Sequence, residues 1–206
     1  MNPLDNTTRP CVALLAAGLA FSIPNVSASA QSNPRREMVD ALGAPGPHPS
    51  LGDQARLFDR FVGSWDCEYS IFADDGAATR FSGELLFGWI LDGRALQDIW
   101  ISYPRSGAGA ERNIGTSVRI FDEKSGEWRV VWVAASFGSM ITLHGGAEGD
   151  RIVLRGTDND GSELRWSFND IRPDSFVWRG ELSRDGGKSW RLQEEHRMRR
   201  RGAALH

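Results

Sequence analysis

Short turn signals recur at nearly regular intervals over the C-terminal two thirds of the chain, and this rhythm constrains the fold more than any other feature. Examples are ADDGAA (73–78) and SRDGG (183–187), each with an Asp-Gly pair that favours a tight turn. The segments between the turns are rich in Trp, Phe, Val and Ile, and several alternate, as where Leu164, Trp166 and Phe168 share one face. Short alternating strands with no helical period between them predict an antiparallel meander.

The number of such segments predicts how the meander ends. About ten strands are expected, near 64–72, 80–90, 94–103, 113–121, 127–134, 139–144, 151–156, 162–170, 175–182 and 189–199. An open meander of this length would leave two exposed edges, and closure into a barrel removes both. We therefore predict an all-β fold, an antiparallel up-and-down barrel of about ten strands with one short N-terminal helix. A β-sandwich is the alternative.

The first thirty residues have the parts of a secretory signal peptide. Arg9 precedes an apolar run, CVALLAAGLAFSI (11–23), and Ala-Ser-Ala follows at 28–30. A basic residue, a short apolar stretch and a small-residue cleavage site define such a segment. The apolar run is shorter than the ~20 residues that span a bilayer, so no membrane span is expected. The sequence thus predicts a signal peptide over 1–30 and a periplasmic or secreted protein.

The rest of the chain divides into an arm and one domain. Residues 31–49 are rich in Pro and Gly without a period, which indicates a flexible arm. Residues 50–201 are expected to form a single barrel domain that begins with a short helix up to Gly63. Removal of the signal peptide leaves Cys67 as the single cysteine, and one cysteine cannot form an internal disulfide.

Four stretches of the sequence resemble a known family in their order along the chain. They are FVGSWDCEYSIF, LDGRALQDIWI, IFDEKSGEWRVVWV and SRDGGKSWRLQEEHRMRR. Together they look like the DUF1579-type proteins of the calycin (lipocalin-like) superfamily, and the likeness covers residues 50–201. The resemblance implies an up-and-down barrel with an internal cavity. It does not supply an activity, so function has to be argued from the residues that would line that cavity.

Alternation along each strand predicts which side chains point inward. A ten-stranded barrel is wider than the eight-stranded size whose interior side chains can fill, so a cavity is expected. All eight tryptophans fall between 65 and 190, and aromatic walls suit a small hydrophobic or aromatic ligand. The candidate ligand-binding residues are Trp65, Cys67, Tyr69, Arg94, Trp100, Arg119, Trp132, Trp166, Trp178 and Trp190.

Two polar residues share the inward face of the last predicted strand. Glu194 and His196 lie two residues apart, and an imidazole beside a carboxylate can move a proton, so they are the candidate catalytic acid/base pair. A second interpretation is a buried network that Glu194 and His196 form with Arg94, Arg119 or each other. Closure of the barrel would also bring Cys67 near the pair, where a buried cysteine is more often a small hydrophobe than a nucleophile.

Several functions stay open at this point. The leading hypothesis is an exported barrel that binds a small hydrophobic or aromatic molecule without a cofactor or metal. One alternative is a cofactor-independent lyase, isomerase or hydratase that uses Glu194 and His196. Another is haem binding through His196, because the protein is similar to nitrobindins in having a histidine near the chain end, although GSWDC lacks the second Gly of their Gly-x-Trp-x-Gly opening. A fourth is an envelope protein with a filled barrel whose loops contact a partner.

Charge and turn chemistry narrow the alternatives. The formal net charge of −3 gives no case for nucleic-acid binding, and the sequence leaves a monomer or a homodimer open. SRDGGKSW (183–190) resembles the Asp-box of sialidases, yet it occurs once, between the last two predicted strands. Because Asp-Gly favours a hairpin and Ser and Asp side chains bond turn backbone, we predict a structural role for it.

Overall fold

The protein forms a closed barrel of ten antiparallel strands, as predicted. The computed structural model describes residues 33–103 and 112–202. The barrel strands are β2 (Gly63–Phe72), β3 (Ala78–Ile90), β4 (Ala95–Tyr103), β5 (Asn113–Asp122), β6 (Glu127–Ala134), β7 (Ser139–Glu148), β8 (Arg151–Thr157), β9 (Glu163–Asn169), β10 (Ser175–Ser183) and β11 (Arg191–Arg200). A two-residue strand, β1 (Gly43–Ala44), precedes them.

Each barrel strand pairs with the next along the chain, and the last pairs with the first. In the closing ladder His196 of β11 lies opposite Tyr69 of β2, and Met198 lies opposite Cys67. This pairing leaves no exposed edge in the meander. The up-and-down barrel is therefore confirmed, and the β-sandwich alternative is wrong.

The N-terminal segment has more regular structure than the sequence predicted. Helix α1 (Pro34–Leu42) and β1 lie within 31–49, which was expected to be a flexible arm, and β1 pairs with the end of β3. A 3₁₀ segment (Pro49–Ala55) and helix α2 (Arg56–Asp59) make up the predicted short helix. The predicted signal peptide, 1–30, lies outside the described residues. Within the described ranges, none of the helices has the length and apolar character needed to cross a membrane.

Aromatic side chains close one end of the barrel. Phe58 and Phe61 follow the 3₁₀ segment and are 0% and 1% exposed. The Phe58 ring lies 5.0 Å from that of Trp128, and the Phe61 ring lies 4.7 Å from that of Phe176, both edge to face. Such pairs add to the stabilisation from apolar burial. We call this the closed end; the open end is the opposite one, where β2 ends and β11 begins.

The Asp-box sequence forms the turn between β10 and β11. The Ser183 hydroxyl donates to Asp185 Oδ1 at 2.8 Å, and the Gly187 N–H donates to the Ser183 hydroxyl at 2.9 Å. The Ser189 N–H and hydroxyl both donate to the Asp185 carboxylate, at 2.9 and 2.6 Å. The indole N–H of Trp190 donates to the Gly187 carbonyl. The motif thus satisfies its own polar groups within a single turn.

The Asp185 carboxylate makes the stability of this turn depend on pH. Hydrogen bonds from Ser189, and after them from Ser183, lower the pKa of Asp185 to about 2. A depressed carboxyl pKa stabilises the folded state above the unfolded pKa, and this contribution is lost as pH falls through the folded value. We expect Asp185→Asn to lower the free energy of unfolding at pH 7 and to lose most of that effect between pH 4 and pH 2, as measured by urea unfolding. Asp53→Asn, which removes one exposed ion pair with Arg56, is the control, and an equal pH profile in both variants would contradict this account.

Candidate functional site

A cavity of about 520 Å³ occupies the half of the barrel nearest the open end. Most of its wall is aromatic or aliphatic, with ring faces from Tyr69, Phe81, Trp100, Trp132, Trp166 and Trp178. Its polar lining groups include Asp98, Ser102, Ser117, Arg119, Glu194 and His196. An apolar concave site with a few polar groups is the usual form of a small-molecule pocket.

Three of the tryptophans keep part of their surface in the cavity and form an arc with a fourth. The ring centroids of Trp100 and Trp132 are 6.2 Å apart, and those of Trp132 and Trp166 are 6.0 Å apart. Trp166 and Trp178 continue the arc at 5.2 Å. All these contacts are edge to face, which is a favoured aromatic geometry. We call these four side chains the tryptophan arc.

Glycine backbone lies beneath two members of the arc. A Cβ at Gly115 would lie 2.1 Å from Cη2 of Trp132, and one at Gly180 would lie 2.8 Å from Cη2 of Trp178. The two indoles therefore pack closely against glycine backbone in strands β5 and β10, where any larger residue would displace them. Glycine within a strand weakens it. At these two positions it makes the strand less stable but leaves room for an indole beside the cavity.

His196 and Glu194 stand together on the wall formed by β11. The Nε2 atom of His196 lies 2.9 Å from Oε2 of Glu194. The imidazole side chain is 9% exposed, whereas the Glu194 side chain is 40% exposed. Rings of Trp178 and Tyr69 lie 4.6 and 4.9 Å from the imidazole. The pair is thus an imidazole held in an aromatic setting by a carboxylate that reaches the cavity.

An irregularity in β11 sets the direction of this pair. Gly180 pairs with Glu194, but the next residue on β10, Glu181, pairs with Leu192, so Gln193 is an extra residue. Such a bulge changes which face the following side chains occupy. As a result Gln193 and Glu194 both line the cavity, whereas simple alternation had placed Gln193 outside.

The cavity floor contains a buried ion pair. Arg119 Nη2 lies 2.6 Å from Asp98 Oδ2, and both side chains are at most 5% exposed. The guanidinium carbon lies 5.3 Å from the ring centre of Phe58 and 5.4 Å from that of Phe87, as in cation–π contacts. Arg119 Nε and Nη1 have no hydrogen-bond partner among the described residues. The pair joins the barrel wall to the aromatic closed end.

Eight of the twelve residues predicted from sequence line the cavity. They are Tyr69, Trp100, Arg119, Trp132, Trp166, Trp178, Glu194 and His196. All lie on inward-facing positions of their strands, which is why alternation found them. Asp98 and Ser102 were missed, although both lie on the same face of β4 as Trp100 and the same alternation would have identified them.

Two predicted lining residues lie outside the barrel. Arg94 follows the turn after β3 at the closed end, and its guanidinium contacts Ser50 and His48 of the N-terminal segment. Trp190 lies in the turn before β11, where its ring stacks on Arg165 with 4.3 Å between the guanidinium carbon and the ring centre. Trp190 was placed inward by simple alternation, and the bulge at Gln193 reverses the parity before Glu194.

Two others are inside the barrel but away from the cavity. Trp65 is fully buried near the closed end, and its indole N–H donates to the Phe61 carbonyl at 2.7 Å. Cys67 is a free thiol, 2% exposed. Burial raises the pKa of the Cys67 thiol to about 12, with the carboxylates of Glu194 and Glu68 adding to the rise. A thiol in this state is a poor nucleophile.

The described residues also bear on metal binding. Within residues 33–103 and 112–202, no group of three or more His, Cys, Asp and Glu side chains is arranged to hold a metal ion. His144 forms a pair with Glu127 on the exposed surface at 2.9 Å.

The raised thiol pKa has a direct chemical consequence. In a Cys11→Ser variant Cys67 is the only thiol, because the chain has two cysteines. With a pKa of about 12, only about one thiol in ten thousand is ionised at pH 8, so we expect almost no reaction with Ellman's reagent in the folded protein and full reaction in urea. Rapid reaction without denaturant would show that Cys67 is accessible and activated.

The glycine beneath Trp132 can be tested by a single methyl group. Gly115→Ala forces the Trp132 indole into the cavity, and we expect a loss of about 1–3 kcal/mol in the free energy of unfolding, together with a change in tryptophan fluorescence. Gly88→Ala is the matched control, since a Cβ at that strand position meets no atom within 4 Å. Equal effects of the two substitutions in urea unfolding would contradict the close packing of Trp132.

Comparison with known proteins adds a fold likeness. No protein-family model matches the chain, and no curated protein matches it either. Among solved structures, Rv2717c from Mycobacterium tuberculosis is similar, with a TM-score of 0.53 and 17% identity, covering 75% of this chain and 98% of that one. The S-type phycobiliprotein lyase CpeS from Guillardia theta has a TM-score of 0.52 and 11% identity, covering 72% and 93% of the two chains.

At these identities the likeness concerns the fold. Each of the two structures is covered over more than nine tenths of its length, so the whole barrel is shared and not a fragment of it. Together with the closed ten-stranded meander, this shows that the protein has a lipocalin-like barrel fold.

Proposed function

We propose that the protein binds a small, largely hydrophobic or aromatic molecule in the barrel cavity. The observation that carries this proposal is the tryptophan arc, in which Trp132 and Trp178 pack against Gly115 and Gly180 and all four indoles line the cavity. A barrel that only needed a filled core would gain stability from larger residues at both positions, because close packing is favourable. The strand glycines are therefore better explained by a bound molecule.

The polar lining supports a ligand with few polar groups. Asp98 and Arg119 satisfy each other at the floor, and the Tyr69 hydroxyl and Ser102 hydroxyl share a hydrogen bond of 2.5 Å. These groups are already paired, so a ligand does not need to match them. Glu194 and His196 remain as the polar groups best placed to orient a molecule, since Glu194 reaches the cavity.

An enzyme that uses the same cavity is the second candidate, and the geometry of the pair favours it. A carboxylate only accepts hydrogen bonds, so in a neutral His196 the proton lies on Nε2, facing Glu194. Nδ1 is then a basic nitrogen with no partner among the described residues. We propose His196 as the general base and Glu194 as the group that orients it, for proton transfer in a lyase, isomerase or hydratase reaction.

Haem binding through His196 is a third proposal, and it makes a structural demand. Nε2 of His196 is engaged by Glu194 at 2.9 Å, so an iron would use Nδ1 or displace the carboxylate. When bound, haem would supply an iron that can bind small ligands or transfer electrons. A Soret band in the purified or haem-reconstituted protein supports this proposal, and its absence after reconstitution removes it.

Three further proposals concern the cellular setting and assembly. Residues 1–30 support export to the periplasm or secretion, and the four sequence stretches noted above support membership of the DUF1579-type proteins. A homodimer is supported by exposed apolar side chains on the outer face of neighbouring strands β4 and β5, where Ile99, Ile114 and Ile120 are 36–47% exposed.

A neutral fluorescent probe tests the binding function. N-phenyl-1-naphthylamine is apolar and gains fluorescence on leaving water, so we expect saturable binding to the folded protein. Trp166→Ala removes a wall of the cavity and should weaken binding roughly tenfold, the size expected for one aromatic contact with its buried area. Trp190→Ala removes an indole outside the barrel and should leave the affinity unchanged. Equal affinities in the two variants, or no saturable binding, would contradict a ligand in the cavity.

A further inference from the structure

The charges that line the cavity are not balanced. Among the described lining residues the acidic ones are Asp98, Asp158 and Glu194, and the permanent cation is Arg119. Arg119 is already paired with Asp98 at 2.6 Å, and both are buried. Glu194 on the wall and Asp158 at the rim therefore have no Lys or Arg partner among the described lining residues, so the accessible part of the cavity has more acidic than basic side chains.

Aromatic rings surround the imidazole that is hydrogen-bonded to Glu194. The imidazole that Glu194 contacts lies 4.6 Å from the Trp178 ring, 4.9 Å from the Tyr69 ring and 6.4 Å from the Trp100 ring. The faces of indole and phenol rings are electron-rich and attract cations. A carboxylate and aromatic rings close together attract an organic cation, and this attraction offsets the loss of its hydration.

The hydrogen-bonding groups beside Glu194 also suit a ligand that donates hydrogen bonds. With Nε2 of neutral His196 donating to Glu194, its Nδ1 is an acceptor, and it has no partner among the described residues. The second oxygen of Glu194 is an acceptor as well. Arg119 Nε and Nη1 and the Trp100 N–H have no partner among those residues either, but they are buried away from solvent. The His196–Glu194 part of the wall therefore offers acceptors, and the neighbouring Gln193 amide can both donate and accept.

Neighbouring groups respond to the same charge. Burial raises the pKa of the Tyr69 phenol, the hydrogen bond with Ser102 opposes the rise, and the charge of Glu194 adds to it. The charge of Glu194 also contributes to the raised pKa of Cys67. Glu194 thus lies close enough to two groups on the neighbouring strand β2 for its charge to raise their pKa.

From this arrangement we infer that the ligand is an organic cation, with a protonated amine or quaternary ammonium group beside Glu194 and an apolar body along the tryptophan arc. This inference rests on the proposed binding function and specifies its ligand class. The cationic group replaces water at the Glu194 carboxylate, and the rings of Trp178 and Tyr69 lie beside the adjacent His196 imidazole. The apolar body extends towards Phe168 and Met198, which line the cavity nearer the closed end.

An anionic ligand fits the same cavity poorly. Its natural partner would be Arg119, whose side chain is 3% exposed and already bound to Asp98. The guanidinium is also covered by the rings of Phe58, Phe87 and Phe168. On its way to the floor, an anion would pass Asp158 and Glu194, both of which repel it.

Three probes of the same size separate these possibilities. They are 2-naphthylmethylamine, 2-naphthylmethanol and 2-naphthoate, which share the ring system and are respectively cationic, neutral and anionic at pH 8. Isothermal titration calorimetry of the full chain at pH 8 should give an affinity for the amine about tenfold higher than for the alcohol, and weaker binding of the carboxylate than of either.

Matched variants assign the preference to one side chain. Glu194→Gln keeps the shape and removes the charge, so it should lower the amine affinity about tenfold and bring the amine-to-alcohol ratio close to one. Glu68→Gln makes the same change in net charge on the outer face of β2, where the side chain is exposed, and should leave the ratio unchanged. Near-ultraviolet circular dichroism confirms that both variants are folded.

The outcomes distinguish the two levels of the proposal. Binding of the alcohol with no preference for the amine, or a preference that Glu194→Gln does not reduce, overturns the organic-cation ligand and leaves the binding function standing. Stronger binding of 2-naphthoate than of the amine also overturns the organic-cation ligand and indicates that Arg119 binds the ligand. Failure of the folded protein to bind any of the three probes contradicts the binding function, and the ligand class with it.

Discussion

The pairing of the last strand with the first is the interaction on which the rest of the structure depends. It places His196 directly opposite Tyr69 and Met198 opposite Cys67, so the candidate pair faces an interior and not the open edge of a sheet. The end of the same strand is fixed to the N-terminal segment: the Arg200 guanidinium donates to the carbonyls of Val62 and Arg60 at 2.7 and 2.6 Å. Closure of the barrel and the packing at its closed end are therefore coupled, since strand β11 contributes to both.

The two halves of the barrel are filled differently, and this difference produces a site. At the closed end Phe58 and Phe61 are fully buried among other rings, which supplies the dense packing that stabilises a core. At the open end large indoles contact one another and strand glycines such as Gly115, but part of their surface lines the cavity and is not covered by other side chains. Apolar surface left in contact with a cavity is unfavourable in water, and a bound molecule removes that cost. The stable half supports the strands while the other half remains open.

The sequence predicted the barrel well because turns and alternation are local signals. It also identified Trp100 and Arg119, which occupy inward positions of β4 and β5 although their outward neighbours, such as Ile99 and Val118, are apolar. It misplaced Trp190 because a bulge depends on the pairing partner and leaves no mark in the sequence of β11 alone. It also ended β7 at residue 144, before a Gly-Gly pair, whereas the strand continues to Glu148; a Cβ at Gly145 would lie 2.1 Å from the Val153 carbonyl oxygen, so that glycine allows close strand packing there.

The depth of each acidic side chain explains why one is paired with arginine and the other is not. Asp98 is 5% exposed, and a carboxylate so far from water needs a full opposite charge, which Arg119 provides. Glu194 is 40% exposed and lies nearer the open end, next to the bulge in β11. Water can therefore solvate its carboxylate, which needs no arginine and is hydrogen-bonded to an imidazole. The cavity floor thus holds a neutral ion pair among aromatic rings, whereas the wall near the mouth holds the Glu194 carboxylate. In the proposed complex the ligand's apolar body replaces no polar contact at the floor, while its charged end stays where the loss of hydration is smallest and the carboxylate is free to meet it.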